Sequence, residues 1–311
     1  MQFIRMFIIM VSACCGSCLT NDAGYHYEVQ KLDKHVVHIV TVNAKKYNVN
    51  IVKANDGAVG RETVSSMAKR SNAEIAINGG FFEIGDHTDG TPSRSLVIDG
   101  KVYKARNQLE SLVIIDSGKV LIQSANPREY IQKKPHASLV SGIPLLIAHG
   151  KIFHNLLQKN GEFYRKSHAR TALGIKPDGT IIIIVAEHHY QKDLVSITLG
   201  EVKSLMQEKV ALLSQKYGKK PGDITLNELK EILADHFSKK NGAKGLSLSS
   251  LAQLMERLGC EFAINLDGGG SSTLWIDGNV VNQTIGDQDE DNGLQTARPV
   301  SDSIVFKKKC P

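Results

Sequence analysis

The chain has 311 residues, of which 41% are hydrophobic, enough to fill the core of one large domain or two modest ones and to exclude a mainly disordered protein. Its 38 basic against 32 acidic residues leave a net charge of +6, too mild and too dispersed for a dedicated nucleic-acid groove. Aromatic residues make up only 6%, with one Trp, which argues against a carbohydrate cleft paved with stacked rings; sugar recognition here leans on polar groups.

Arg5 precedes the apolar run Met6 to Val11, and Ser12-Ala13 follow it, the layout of a secretory signal over residues 1–18. The run is far short of the roughly 20 apolar residues that span a bilayer. Cys14, Cys15 and Cys18 crowd this boundary, and Val11-Ser12-Ala13-Cys14 is similar to a bacterial lipobox, which makes Cys14 the candidate for lipidation. The expected location is therefore secreted or periplasmic, with membrane contact only through such a lipid. Cys260 and Cys310 lie far apart in sequence: either a disulfide ties the C-terminal tail to the body, or both are buried thiols.

Alternation in Val36 to Val42 and in Tyr47 to Val52 predicts two half-buried strands. Val64 to Arg70 suits a short helix, and Glu74 to Ile77 a buried strand running into Asn78-Gly79-Gly80-Phe81-Phe82. Asp99-Gly100, Ser117-Gly118 and Asp178-Gly179 each separate two apolar runs and mark hairpins. Residues 191–244 depart from this β pattern, since Leu199, Val202, Leu205, Met206, Leu212 and Leu213 keep helical spacing, and Thr225 to Glu228 form a capping box before Leu229, Ile232, Leu233 and Phe237. This is a helical insertion whose charges read as solvated helix faces. Ser247 caps a further helix bearing Leu248, Leu251, Leu254, Met255 and Leu258, stopped by Gly259, and the strand Glu261 to Leu266 ends in Asp267-Gly268-Gly269-Gly270-Ser271-Ser272. The expected fold is α+β, mostly β over the first two-thirds with packed helices, in one body covering residues 25–311.

Two loops share one build, an apolar strand with an Asn near its end followed by clustered glycines: Asn78-Gly79-Gly80 and Asn265-Leu266-Asp267-Gly268-Gly269-Gly270. Glycine admits positive φ and lets a ligand approach backbone N–H groups, so such loops can cradle an anion. Neither is a nucleotide-triphosphate loop or a dinucleotide fingerprint, because Gly-Lys-Ser/Thr and G-x-G-x-x-G are both absent. Asp267, at the end of a buried strand and followed by residues without side chains, is the first-choice catalytic acid, the alternative being a turn cap. Glu187, after the apolar strand Ile181 to Val185, is the choice for a second carboxylate, with Glu83 and Asp86 behind it. Arg170 and Arg298 can each fork a phosphate or form a surface ion pair. His188 and His189 are adjacent, so on a strand they face opposite ways, and no His or Cys spacing makes a zinc site.

Together, Asn78-Gly79-Gly80-Phe81-Phe82, Ser95 to Gly100, Arg170 to Ile175 with Asp178-Gly179, Leu248 to Ala252, Asn265 to Thr273 and Arg298-Pro299-Val300 resemble the phosphodiester glycosidase family, in order, from about Ile75 to Phe306. The resemblance implies an α+β fold with these loops around one cleft and hydrolysis of a sugar joined through its anomeric carbon to a phosphodiester. It places Asn78, Gly79, Gly80, Arg170, Asn265, Asp267, Gly268, Gly269, Gly270, Ser271, Ser272 and Arg298 at matching positions, with a sugar-1-phosphodiester or a phosphosugar polymer as ligand. A non-catalytic binder of such polymers is the alternative. No organic cofactor is implied; a divalent ion beside Asp267 is left open. The chain departs from the family where relatives read Val-Asp-Gly-Arg and it has Val185-Ala186-Glu187-His188-His189, and in the length of its helical segment.

Overall fold

The computed structural model describes residues 24–309 except 33–34, 58, 154–155, 160, 287–296 and all but isolated positions of 189–243. The signal-like segment with Cys14, nearly all of the expected helical insertion and Cys310 thus lie outside the described residues.

Three antiparallel sheets carry the fold. The first has seven strands in the order β1 (Tyr25–Leu32), β2 (His35–Val42), β13 (Ile181–Ala186), β12 (Arg170–Ile175), β14 (Phe262–Asn265), β10 (Leu145–Ala148) and β11 (Lys151–Ile152). The second runs β16 (Asn279–Val280), β15 (Leu274–Ile276), β4 (Ile75–Asn78), β17 (Asp302–Lys308) and β3 (Tyr47–Lys53). The third runs β6 (Lys101–Lys104), β5 (Leu96–Ile98), β9 (Ser138–Gly142), β7 (Glu110–Asp116) and β8 (Lys119–Ala125).

Each sheet turns one face to a shared core and the other to a helix, which is why alternate residues of a strand fall into different apolar clusters. Leu173, Ile183, Val113, Ile77 and Ile304 meet in the common core. On the outer face of the first sheet, Ala172, Ile182 and Ile184 pack under α4 (Leu248–Arg257), with α3 (Glu162–Arg165) beside it. The second sheet buries Ala76, Trp275 and Val305 under α1 (Val64–Arg70), and the third packs Leu112, Ile114 and Leu139 against Tyr130 and Ile131 of α2 (Pro127–Lys133). Strand β13 is therefore buried on both faces and reads as an unbroken apolar run, whereas the edge strand β3 alternates buried and exposed residues.

The helix starts obey local chemistry. The Thr63 hydroxyl accepts from the Ser66 amide at α1, and Ser247 accepts from the Ser250 amide at α4. Cys260 is a free, buried thiol wedged between Gly174 and the Met255 sulfur, so the bridge to Cys310 is not formed at this residue. Burial pushes that thiol up to about 12.

The antiparallel registers bring one set of strand ends together: Asn78 of β4, Asp302 of β17, Arg170 of β12, Ala186 of β13 and Asn265 of β14 all lie at this end. The first described residue, Gly24, and the terminal Lys308 lie at the other.

Candidate active site

The centre is built from the two glycine loops and the start of the last strand. Asn78 is fully buried: its side-chain oxygen accepts from the Thr171 hydroxyl (2.7 Å) and the Thr273 amide (3.2 Å), and its nitrogen donates to the Asp267 carbonyl (2.8 Å). The Asp267 amide in turn donates to the Gly79 carbonyl (3.1 Å). One buried Asn thus joins three strands to the loop that carries Asp267.

The glycines serve a carboxylate rather than an incoming anion. The Gly79 amide donates to the Asp302 carbonyl and the Gly80 amide to the Asp302 carboxylate, both at 2.9 Å. A Cβ on Gly79 would lie 1.9 Å from that same carboxylate oxygen. In the second loop the Gly268 amide donates to the Asp267 carboxylate (2.9 Å), the Gly269 amide to the Ala169 carbonyl (2.8 Å), and the Ser271 and Ser272 amides close a tight turn on Gly268 and Gly269. The amides of Gly79, Gly80, Gly268, Gly269, Ser271 and Ser272 already have partners, so they do not present the expected anion cradle.

Arg298 remains at the site. Its guanidinium lies flat on Gly270, where a Cβ would come within 2.4 Å of the Arg298 Cζ. Burial pushes the Asp267 carboxyl up to about 6; the Ser271 hydroxyl, the Gly268 amide and Arg298 pull it down, and the charge of Asp302 adds to the rise. Asp302 is raised as well, by burial first, against the opposing effects of the Gly80 amide and Lys53. Lys53 sits opposite Asp302 in the β3–β17 ladder and is buried, its Nζ donating to the carbonyls of Ser301 (3.0 Å) and Gly90 (3.2 Å).

Among the described residues, several buried polar atoms around this centre lack a partner: the side-chain oxygens of Asn265, Ser271, Ser272 and Ser301. Ser271 and Ser301 lie beside Asp267 and Asp302 without reaching hydrogen-bond geometry. Buried polar atoms are nearly always satisfied, so their gathering beside Asp267 and Asp302 sets this part of the fold apart.

Two expected residues are placed otherwise. Arg170 shares the face of Ala172, turned from the common core toward α4, and Thr171 takes the side of Asn78 instead. The Arg170 guanidinium is consumed by the carbonyls of Leu246 (3.1 Å), Phe163 (2.9 Å) and Lys166 (3.2 Å) and stacks over the Phe163 ring; burial lowers it to about 10. It is a structural tie, not a phosphate fork. The Asn265 amide group likewise donates to the carbonyls of Ile143 and Leu266.

Glu187 lies just past β13 at the site end and is buried. It accepts from His38 Nε2 (2.8 Å) and from the Gln283 amide (2.5 Å), and the neighbouring Asn282 donates to the Ser272 carbonyl (3.0 Å). Glu83 and Asp86 are exposed on the loop after Phe82. His188 accepts from the Gly245 amide, and His189 lies outside the described residues. Among the described residues, no three His, Cys, Asp or Glu side chains converge as a metal site. Asp302, Lys53, Thr171 and His38 were not expected. Their signal is a polar residue within a strand or at its end.

The phosphodiester glycosidase family model matches residues 71–212 and 225–307, most of the chain. This chain belongs to the phosphodiester glycosidase family. Among curated relatives of this phosphodiester glycosidase family member, an uncharacterized Rickettsia conorii protein is 26% identical, covering 46% of this chain and 85% of the relative. The Mus musculus N-acetylglucosamine-1-phosphodiester alpha-N-acetylglucosaminidase is 24% identical over 80% of this chain, which spans only 41% of that protein. Of solved structures, the zebrafish N-acetylglucosamine-1-phosphodiester alpha-N-acetylglucosaminidase catalytic domain, auto-inhibited by its pro-peptide, superposes with a TM-score of 0.61 at 18% identity, covering 92% of this chain and 82% of that one. A hypothetical protein from Synechocystis gives 0.56 at 15% identity, covering 92% and 62%. These likenesses establish the phosphodiester glycosidase fold.

Proposed function

We propose that this chain hydrolyses a sugar-1-phosphodiester at the anomeric carbon, releasing the sugar and a phosphate monoester, on extracellular or envelope glycoconjugates. The observation that carries it is the juxtaposition of Asp267, with its carboxyl near 6, and the Arg298 guanidinium laid over Gly270 among unsatisfied Ser and Asn oxygens. Attack by water forms the new carbon–oxygen bond as the bond from the anomeric carbon to the phosphate oxygen breaks. The departing group is a phosphate monoester whose second pKa is near 6, so it leaves without a strong general acid. Asp267 offsets the positive charge that grows on the sugar, Arg298 holds the phosphate, and Glu187 takes the proton of the attacking water. Ser271 and Ser272 supply hydroxyls for the ligand. The signal-like residues 1–18 and Cys14 support export, and the body from residue 25 onward acts as one catalytic domain interrupted by the insertion at 191–244.

Hydrolysis in heavy-oxygen water tests the bond cleaved. Label is expected in the released sugar; label in the phosphate instead identifies a phosphodiesterase and overturns the proposal. Asp267→Ala is expected to abolish turnover, whereas a non-catalytic polymer binder would keep its affinity and have no turnover to lose. Arg298→Gln is expected to lower kcat/KM by about 10²-fold, the usual cost of one charge-stabilising donor.

A further inference from the structure

A second polar row crosses the face of the first sheet that looks into the common core. His38 lies opposite Val185 in the β2–β13 ladder, and Tyr27 lies opposite Val40 in the β1–β2 ladder, so Tyr27, His38 and Glu187 descend diagonally over three neighbouring strands. The Tyr27 hydroxyl meets His38 Nδ1 at 2.8 Å, and His38 Nε2 meets Glu187 Oε1 at 2.8 Å. The Tyr27 and His38 rings are nearly parallel, with centroids 6.0 Å apart. His38 is 4% exposed and Glu187 6%.

The proton order follows from these contacts. Burial first, and then Glu187, raises the Tyr27 phenol above its ordinary value, so at neutral pH it is a donor. We assign its O–H to Nδ1, the arrangement in which the Nε2 proton points at Glu187. Both imidazole nitrogens are engaged, and one Glu187 oxygen is pinned by two partners, His38 and the Gln283 amide. Through Asn282 that same segment is tied to Ser272 of the glycine loop. A carboxylate held this way is kept from swinging, which is how a buried His orients an acid–base group. Tyr27 and His38 precede residue 71, where the family match begins, while Glu187 lies inside it.

We infer that His38, backed by Tyr27, is the positioning residue that orients Glu187 as the proton acceptor of the hydrolytic site, and that the N-terminal β1–β2 hairpin is thereby part of the catalytic apparatus. The inference rests on the reaction proposed above. Glu187 is faced by His38 and the Gln283 amide among its contacts, and His38 is faced from the other side by Tyr27.

Five variants of the full chain test it, with kcat and KM measured against an aryl phosphodiester of N-acetylglucosamine-1-phosphate. His38→Ala is expected to lower kcat about 10²-fold with little change in KM, the scale of a misplaced catalytic group. His38→Gln, which can still donate to Glu187, is expected to recover about a tenth or more of wild-type kcat. Tyr27→Phe is expected to cost about 3–10-fold, since it removes only the outer hydrogen bond. Adding His38→Ala to Glu187→Gln is expected to cost nothing further, because the two act as one unit. Unchanged kcat in His38→Ala, no recovery by Gln, or a multiplicative double variant overturns the assignment. A readout free of turnover separates this failure from that of the reaction itself: the NMR titration of the His38 ring. A midpoint displaced by Glu187→Gln supports the pairing even if the phosphodiester is not cleaved, and an unmoved midpoint overturns it.

Discussion

Asp267→Asn is expected to stabilise the protein while destroying its activity. The carboxyl rises from the ordinary 3.8 to about 6, so between those values the native state binds more protons than the unfolded chain, and stability falls as pH rises through that window. Two units at 1.36 kcal/mol each set a ceiling of about 3 kcal/mol. Asp267 keeps some solvent exposure, so screening reduces this to about 1–2 kcal/mol at pH 7. Asn keeps an acceptor for the Gly268 amide and removes the charge, so the gain should appear at pH 7, shrink through pH 5 and vanish below pH 3.8. Urea unfolding of both proteins at pH 3.5, 5 and 7 measures it. A variant less stable than wild type at pH 7, or a difference that does not change with pH, refutes the assignment of a buried, charge-disfavouring site.

Gly79→Ala would drive its Cβ into Asp302 and is expected to cost about 3 kcal/mol or more in thermal unfolding, with loss of turnover because the Asp267 loop hangs from Gly79. Arg170→Gln strips donors from three carbonyls, so it is expected to lower stability by about 2–4 kcal/mol while leaving KM of the folded fraction within a few-fold of wild type; a large rise in KM would restore Arg170 as a phosphate ligand. The peptide bearing Cys260 is expected to resist alkylation at pH 8 in the native protein and to react fully in urea, as peptide mass mapping would reveal.

The apolar periodicity made much of the fold readable: the helices after Thr63 and Ser247, the strands flanking Asp178-Gly179 and the strand ending at Asn265 all stand where alternation and caps put them. The successive strands Ser138–Gly142 and Leu145–Ala148 are not legible, because Pro144 between them looks like a break rather than a crossing from one sheet to another. At the site, Asp267 and Arg298 were legible as chemistry next to glycine. The partner of each glycine amide was not, since a sequence does not say whether an N–H is turned to a ligand or to a carboxylate from a strand more than two hundred residues away, as Gly80 is to Asp302. Arg170 misled for a related reason: alternation tells which residues share a face of β12 but not which face the site opens on. His38, a polar residue amid Val36 to Val42, was visible and went unused because its partners sit on two other strands.

The stitch between His188 and Gly245 has a consequence for the chain between them. The Gly245 amide donates to His188 Nδ1 at 3.2 Å, and Leu246 immediately bridges to His168, with Gly245 so close to the His168 carbonyl that a Cβ would lie 1.9 Å from it. Departure and return of residues 189–243 are thus fastened at one point of the sheet, like the mouth of a purse. Closing a loop costs only about 0.6 kcal/mol for each doubling of its length. A module added to this chain is best joined at this mouth, where exit and return are already held together, and Gly245 is the residue such a graft must leave untouched.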